Sequence, residues 1–422
     1  MIPPAARDRR VWLRVGTLLD GASSRPLRHA HIVYDSRQIL FAGEDEPHLE
    51  LLNPDQRAPD ASLDECTLLP GLTDAHTHLF LEGGELDLDK RAAYLNQTPD
   101  ELLQRARARL EKLLRLGVVA LRDAGDKHGV GLALSKLYAS AHHPLMPYVD
   151  SPGAAIHHHG RYGGFMAEPI RDCGEPRSCV AARVKAGADR IKLIATGIIN
   201  FKKGAVTTEP QMTTEEIGAF VDAAKSFGRQ TLAHASGDEG IERVIAGGVD
   251  SVEHGFFLRD DQLAKMRDRQ IAWVPTFSPV QEQVDHADRM GWDEQVVGNL
   301  KKILDQHAAS LVKAQAMGVQ LIAGSDAGSC GVAHGLGLLY ELERMERAGL
   351  SSIAVLNSAT GTGSNRLAFK HRFGQIRPGF RSRFILTRHS PLKTVANLQK
   401  DKVIVFDGEV LVSNGDFNTD GL

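Results

Sequence analysis

The chain has 422 residues, 42% of them hydrophobic, and a formal net charge of −3 at pH 7. This length exceeds one typical domain and suits a barrel with a smaller domain attached. The nearly balanced charge excludes nucleic acid or an anionic membrane surface as the main partner. The chain shows no signal-peptide core, no run of membrane-spanning length and no C-x-x-C spacing among Cys66, Cys173, Cys179 and Cys330. These features predict a cytoplasmic protein without a disulfide framework.

Short β-strands are predicted at both ends of the chain. They cover residues 11–15, 31–34 and 38–41 near the N-terminus, and residues 383–387, 402–406 and 410–412 near the C-terminus. The last two strands flank a turn at Asp407-Gly408, as in a hairpin. Neither end is long enough to bury a core of its own. We therefore predict that residues 1–67 and 373–422 pair into one small β-sandwich domain.

The middle of the chain alternates between helices and strands. Thr98 to Glu101 forms a capping box with proline at the first helical position, an amphipathic helix follows, and Gly117 marks its end. A strand begins at once, and the same order recurs along the chain. Eight strands are predicted in this way, near residues 69–76, 118–123, 145–150, 190–195, 230–235, 250–254, 271–275 and 320–326.

Repeated strand–helix units of this length specify parallel strands joined by right-handed crossovers. Eight of them over roughly 300 residues favour a closed barrel over an open doubly wound sheet. No G-x-G-x-x-G motif follows the first strand, which argues against a dinucleotide-binding fold. The predicted fold is therefore α/β, a (β/α)8 TIM barrel over residues 68–372 with the small β-sandwich built from both chain ends.

Residues that can bind a metal ion occur at the carboxyl ends of several predicted strands, where barrels of this kind hold their active sites. His76 and His78 end the first strand, and because side chains alternate along a strand they point the same way. The other strand ends carry Lys192, His234, His254 and Asp326. Imidazole nitrogens and carboxylate oxygens are common ligands of zinc-like ions.

Each of these residues also has an ordinary structural interpretation. Lys192 could be a buried lysine with its charge paired, His234 a histidine satisfied by hydrogen bonds, and Asp326 a helix N-cap. Six such residues at the strand ends of one barrel are more simply explained by one metal site. The sequence therefore predicts a metal centre at this rim.

The motifs around these residues resemble those of the metal-dependent amidohydrolase superfamily. The run Pro70 to Leu79 is similar to its first-strand signature. Its later ligand motifs are matched in order by Ile191-Lys192, Ala233-His234-Ala235, Val252-Glu253-His254-Gly255 and Gly324-Ser325-Asp326-Ala327-Gly328. The resemblance covers nearly the whole chain and is greatest to the imidazolonepropionase-like branch that includes Xaa-Pro and Xaa-Arg dipeptidases.

The resemblance implies a centre of two divalent metal ions, with zinc favoured by imidazole-rich ligation and manganese, cobalt and iron left open. His76, His78 and Asp326 would bind one ion, His234 and His254 the other. Lys192, carbamylated by CO2, would bridge both, because a protonated ammonium cannot ligate a cation. The implied reaction is attack of a metal-bridging hydroxide on an amide or peptide-like carbonyl, with Asp326 and Lys192 as catalytic residues.

Residues of the loop after the third strand are predicted to contact the substrate. His159 falls where dipeptidase-like relatives place a substrate-contacting histidine, and Arg161 and Tyr162 follow in the same loop. Arg161 is a candidate to meet a substrate carboxylate. A solvated histidine cluster is the alternative interpretation. Ser236 is a fourth predicted contact, and here the chain departs from these relatives, which often have a tyrosine at this position. The substrate is thus left open between a dipeptide, an N-acyl amino acid, another amide, a carbamate, a urea and a lactone.

Three functions remain open at this point. A two-metal hydrolase of C–N bonds acting on a small-molecule substrate is the leading hypothesis. A one-metal deaminase or a lactonase of the same superfamily is the second, although a deaminase does not need the lysine bridge. A catalytically silent binding scaffold is the third, and it is disfavoured because no predicted ligand is missing. The formation of a homo-oligomer is left open.

Overall fold

The structure is a computed structural model and describes residues 2–140, 145–170 and 175–412. Cys173 and residues 413–422 of the predicted C-terminal β segment lie outside this part of the chain. Within it, no helix combines the length and the apolar character needed to cross a bilayer.

The described residues form sixteen strands and thirteen α-helices. The strands are β1 Val11–Leu18, β2 Leu27–Tyr34, β3 Ile39–Gly43, β4 Ala61–Pro70, β5 Leu72–Thr77, β6 Val118–Asp123, β7 Tyr148–Asp150, β8 Ile191–Ile194, β9 Ile199–Asn200, β10 Ala205–Val206, β11 Thr231–Ala235, β12 Ser251–His254, β13 Ala272–Val274, β14 Arg383–Thr387, β15 Val403–Phe406 and β16 Glu409–Val412.

The helices are α1 Leu88–Leu95, α2 Pro99–Arg115, α3 Val130–Ala139, α4 Pro176–Ala186, α5 Thr214–Ser226, α6 Asp238–Gly247, α7 Asp260–Asp268, α8 Ser278–Asp285, α9 Ala287–Met290, α10 Glu294–Met317, α11 Leu336–Arg347, α12 Ser352–Ser358 and α13 Gly361–Leu367. The predicted capping box is present at α2, where Thr98 Oγ accepts from Glu101 N and the Glu101 carboxylate accepts from Thr98 N. This confirms the predicted start of that helix.

The two ends of the chain meet in one seven-stranded sheet with the order β16-β15-β14-β4-β1-β2-β3. β4 joins the two halves because it pairs parallel with β1 on one side and antiparallel with β14 on the other. Its apolar residues pack in a separate core with those of β1, β2 and β14. The predicted pairing of both ends is thus present as one sheet, and its description as a sandwich domain stays a prediction.

Seven of the eight strands predicted for the middle of the chain are present and parallel to their neighbours. They form a three-stranded sheet β5-β6-β7 and a four-stranded sheet β13-β12-β11-β8. Isolated parallel bridges connect Ile156 to Leu193 and Trp273 to Leu321. These bridges link segments that would be neighbours in a ring of eight strands. Complete closure into a barrel stays a prediction.

The eighth predicted strand differs from the expectation because it makes only scattered contacts. Ala75 N donates to Ala323 O and Asp326 N donates to His76 O, so residues 323–326 run beside β5. Asp326 has a φ of +55°, which breaks the extended conformation there. At position 324 only glycine fits, because a Cβ there would lie 2.9 Å from His76 Cβ. The irregular segment places Asp326 against the first strand.

The loop after β13 is fixed by the carboxylate of Glu341, a fully buried residue of α11. It accepts hydrogen bonds from Phe277 N at 2.8 Å, Ser278 N at 2.9 Å and Ser278 Oγ at 2.8 Å. These are donors at the start of α8, which have no partner within their own helix. The contact positions α8 over the carboxyl ends of the strands.

We expect Glu341→Ala to lower the free energy of unfolding by about 2–4 kcal/mol, because it leaves two buried N–H groups without acceptors. Urea denaturation measures this loss. Glu111→Ala on the exposed face of α2 is the control and should change the free energy by less than about 0.5 kcal/mol. Equal losses in both variants would contradict the assigned role of Glu341.

Candidate metal centre and substrate cavity

All six residues predicted as metal ligands line one cavity of about 420 Å³ at the carboxyl ends of the parallel strands. They are His76, His78, Lys192, His234, His254 and Asp326. They come from five separate stretches of sequence, each placed at this rim by its own strand or strand-like segment. Residues so distant in sequence that meet in one buried cavity form a candidate active site.

His76, His78 and Asp326 form the tightest group of the centre. One candidate ligand atom from each lies within 4.8 Å of the others. Asp326 Oδ1 is 3.6 Å from His76 Nε2 and 3.5 Å from His78 Nε2. His76 lies in β5 and His78 one residue beyond its end, and their ring centroids are 5.5 Å apart, so both histidines lie on the same side, as predicted from their spacing.

His254 and His234 extend the centre from His76. The ring of His254 lies 4.9 Å from the ring of His76 and 4.6 Å from that of His234, measured between centroids. His254 has a φ of +67°, an uncommon conformation for a residue with a side chain. This break in the strand lets His254 join the centre although Glu253, the residue before it, also faces the interior.

Each imidazole has one nitrogen held by a neighbour. His76 Nδ1 lies 2.6 Å from Glu253 Oε2, and His254 Nδ1 lies 2.8 Å from Thr276 Oγ1. The Nδ1 atom of His78 lies 3.2 Å from Gly125 O, and in His234 Nε2 lies 3.3 Å from Gly197 O. Such partners fix the ring orientation of metal-binding histidines.

The remaining nitrogen of each ring is left for another partner. His76 Nε2 is buried and makes no hydrogen bond among the described residues. Burial lowers the pKa of His78 and of His234 to about 3, and that of His254 well below its ordinary value. Neutral imidazoles with a free lone pair are what a divalent metal ion requires. The donor set therefore fits a metal centre.

Lys192 is almost completely buried in the same cavity. Burial lowers the pKa of its ammonium group to about 8, helped by the positive charge of Arg122 and opposed by the carboxylate of Glu253. A substantial fraction of the amine is therefore neutral near physiological pH.

Burial also raises the pKa of the Asp326 carboxyl to about 7, opposed by a hydrogen bond and by the charge of Lys192. The hydrogen bond comes from Ser329 Oγ to Asp326 Oδ2 and is 2.9 Å long. A carboxyl group with a pKa near the working pH is well suited to exchange protons during catalysis.

A buried ion pair between Arg122 and Glu253 lies next to the centre and contacts His76. Arg122 Nη2 donates to both carboxylate oxygens of Glu253 at 2.7 Å, and Arg122 Nε donates to Ala75 O at 2.6 Å. Ser251 Oγ donates to Glu253 Oε1 at 2.5 Å. Glu253 thus holds His76 while its own charge is neutralised by Arg122.

We expect Glu253→Gln to lower the free energy of unfolding by about 3–5 kcal/mol in the metal-free protein, because it leaves the Arg122 guanidinium buried without a counter-charge. Urea denaturation measures the effect. The double variant Arg122→Met/Glu253→Gln removes both charges and should recover part of the loss. A double variant that is less stable than the single one would refute the assigned pair.

The structure brings two of the four predicted substrate contacts into the cavity. Tyr162 and Ser236 both line it, and the Tyr162 ring lies 5.2 Å from the ring of His234. His159 and Arg161 are exposed and do not line the cavity, and Arg161 instead donates to Glu209 O. The turn at Gly160, with a φ of +70°, carries their loop outward.

Sequence reasoning missed most of the cavity wall. Its largest part is apolar, and we call Leu81, Leu95, Phe165, Phe201, Phe256 and Val280 the apolar wall. Arg91 of α1 and Gln283 of α8 also line the cavity. The sequence contains one indication of this wall, namely the long loops after the first and seventh strands, because loops at this rim commonly cover the site.

Comparison with known proteins supports the assignment of the family. A model of the amidohydrolase family matches residues 67–411. An uncharacterised protein of Mycobacterium bovis is 25% identical over 304 residues, which cover 71% of this chain and 74% of the relative. Ochratoxinase of Aspergillus niger is 24% identical over 430 residues, which cover 94% of this chain and 85% of the relative.

Two solved structures are similar to this chain over almost its whole length. A Xaa-Pro dipeptidase with bound methionine has a TM-score of 0.78 and 26% identity, covering 96% of this chain and 100% of its own. Ochratoxinase of Aspergillus niger has the same TM-score with 22% identity and covers 96% of both chains. The resemblance of the strand-end motifs is confirmed, and the chain is a member of the amidohydrolase family and a hydrolase that acts on C–N bonds.

Proposed function

We propose that this protein is a binuclear metal-dependent hydrolase that cleaves an amide or peptide-like C–N bond. The observation that carries the proposal is the set of neutral imidazoles around Lys192 and Asp326, each with one nitrogen fixed by the protein and one left free. Such a preorganised set of neutral nitrogen donors is suited to metal ions and has little use in a binding scaffold.

His76, His78 and Asp326 would hold one ion, His234 and His254 the other, and carbamylated Lys192 would join the two. Zinc is the proposed metal because imidazole dominates the donor set. When bound, two such ions supply an activated water near neutral pH and polarise the scissile carbonyl.

The surroundings of Lys192 support the proposed carbamate. A protonated ammonium among four histidines cannot ligate, whereas the neutral amine favoured by burial can attack the carbon of CO2. An N–C bond forms, one C=O π bond opens, and the amine nitrogen releases a proton to solvent. The product carries a negative charge on two oxygens, which can face two cations at once.

Asp326 would move the proton of the reaction. Its carboxylate accepts a proton from the attacking water and gives it to the leaving amine nitrogen, which is general base followed by general acid catalysis by one group. Tyr162 and Ser236 stand in the cavity with hydroxyl groups that can donate to the substrate. Burial raises the pKa of Tyr162, so its phenol stays a donor at neutral pH.

The names of similar proteins give further support, since a Xaa-Pro dipeptidase and ochratoxinase both resemble this chain along most of its length. A dipeptide, an N-acyl amino acid, a related amide and a carbamate are the proposed substrate classes. Serine at position 236 leaves more space beside His234 than a larger side chain would.

The test is metal analysis together with a substrate panel of dipeptides, N-acyl amino acids, carbamates and lactones. We expect about two ions per chain, hydrolysis of at least one amide class, and loss of activity on chelation that added zinc restores. One ion per chain with deamination or lactone hydrolysis alone would overturn the proposal in favour of a mononuclear deaminase or a lactonase.

A further inference from the structure

We infer that the substrate of this cavity carries a carboxylate, bound by Arg91, together with a large apolar group packed on the apolar wall. The inference rests on the proposed function, since it names the class of amide that the site would take. Arg91 and the apolar wall lie outside the predicted metal ligands and have no part in the proposed proton transfers.

Arg91 is held beside the metal centre by two loops. Its Nη1 donates to Glu82 O at 2.5 Å, and its Nη2 donates to Gly328 O at 2.8 Å. Gly328 follows Asp326 by two residues and packs against the first-strand ligands, since a Cβ at Gly328 would lie 3.0 Å from His78 Cβ. The guanidinium is therefore hydrogen-bonded directly to the loop that carries Asp326.

The charge of Arg91 has no acidic partner within ion-pair distance among the described residues. Two acids that precede it in the same loop lie beside other cations: Glu82 pairs with Arg109 at 2.8 Å and Glu85 lies 3.9 Å from Lys90. Asp87, which is nearer in sequence, caps the start of α1 and accepts from Asp89 N and Lys90 N. Arg91 is partly buried and lines the cavity. A partly buried guanidinium without a counter-charge is a ready site for a ligand carboxylate, to which it can donate in a fork.

No other charge outside the metal centre competes for that carboxylate. Of the described residues that line the cavity, Lys192 and Asp326 belong to the centre, and Arg91 alone carries a formal charge elsewhere. Ser236, Gln283 and Ser329 add neutral polar atoms. The electrostatic preference of the outer cavity is thus set by one positive group.

The rest of the cavity is lined by aromatic and aliphatic side chains, which suit an apolar ligand group of the size of an aromatic ring. The rings of Phe165 and Tyr162 lie 5.7 Å apart, with Phe165 6.3 Å from His78 and Tyr162 5.2 Å from His234. These rings therefore flank the centre on the side of both proposed ions. Ile198 also lines the cavity and is 55% exposed, so its apolar surface is available to a ligand.

A volume of about 420 Å³ accommodates such a ligand. A carbonyl at the centre, a carboxylate at Arg91 and a ring on the apolar wall together describe an N-aroyl or N-arylalkanoyl amino acid. A small polar dipeptide would leave the apolar wall in contact with water, and this costs binding free energy.

The test compares N-benzoyl-L-phenylalanine with its carboxamide, which has the same shape without the charge. Hydrolysis by the zinc-loaded enzyme gives kcat/KM for both, and calorimetry on the metal-free protein gives both affinities. We expect the acid to be preferred, and Arg91→Gln to lower the acid-to-carboxamide ratio by about tenfold to a hundredfold. Arg91→Lys, which keeps the charge, should retain part of the preference.

Arg269→Gln is the matched control, because Arg269 also donates to two backbone carbonyls, Ile245 O and Ala246 O, but lies outside the cavity. Its ratio should stay at the wild-type value. If Arg91→Gln weakens acid and carboxamide equally, Arg91 only joins two loops and the inference is overturned.

The binding measurement separates this inference from the proposed function. Binding of the acid that depends on Arg91, together with no hydrolysis of any amide in the substrate panel, would refute the amidase proposal and uphold the carboxylate site. Hydrolysis of the carboxamide at least as fast as of the acid would uphold the amidase proposal and refute the carboxylate site at Arg91.

Discussion

Replacing Asp326 with asparagine should lower kcat by about a hundredfold to ten-thousandfold, the usual contribution of a positioned acid–base group. The amide keeps the size of the carboxyl and one oxygen near His76 and His78, whose Nε2 atoms lie 3.6 and 3.5 Å from Asp326 Oδ1. It cannot take up the proton of the attacking water. The variant should therefore retain much of its metal while it loses turnover.

Two measurements on the same sample decide this prediction. Metal content by mass spectrometry shows whether the centre remains loaded, and kcat on the best amide of the panel shows whether the proton transfer is lost. Asp222→Asn, an exposed change of the same kind on α5, should leave both at the wild-type level. A loaded Asp326→Asn enzyme with wild-type kcat would exclude Asp326 as the proton carrier.

The periodicity of the sequence was sufficient to predict most of the fold. A capping residue, an amphipathic helix, a glycine and an apolar strand follow one another along the chain, and each junction has a local chemical cause. The strands near residues 118–123 and 250–254 are therefore found almost at their predicted positions. The pairing of the two chain ends was also predictable, since neither could bury its apolar residues alone.

The local pattern failed where the backbone leaves regular geometry. The segment before Asp326 was predicted as a strand, but it makes only scattered contacts with β5, and a φ of +55° at Asp326 interrupts the extended conformation. His254, with a φ of +67°, leaves the extended conformation at the last residue of β12. Both residues are predicted ligands, and uncommon backbone conformations that tertiary contacts maintain tend to occur at functional sites. Hydrophobic periodicity carries no signal for them.

The walls of the cavity were not predictable from the sequence. Arg91 looks like one exposed cation among many on a short helix, and its position depends on contacts with Glu82 O and Gly328 O, the second of which is far away in sequence. The convergence of the six candidate ligands in one cavity was predictable because the carboxyl ends of parallel strands lie together, whereas loops come together only through their individual packing.

Lys192→Met should reduce the bound metal from about two ions per chain to about one or fewer and lower kcat by more than about a hundredfold, because the proposed bridging ligand is lost while the buried volume is kept. In wild-type protein, reloading of the metal-free form should require CO2. At fixed dissolved CO2 the reloading rate should fall about tenfold per pH unit below 8, since only the neutral amine reacts and its pKa lies near 8.

Lys402 provides a closely matched control for this chemistry. It is also buried, with a pKa lowered to about 8, but its amine donates to Leu398 O at 2.6 Å and does not line the cavity. Lys402→Met should therefore keep the wild-type metal content and its dependence on CO2. Two ions and full turnover in Lys192→Met would show that the histidines and Asp326 hold the metal without a bridge, and a carbamate at Lys192 would then have no role in the reaction.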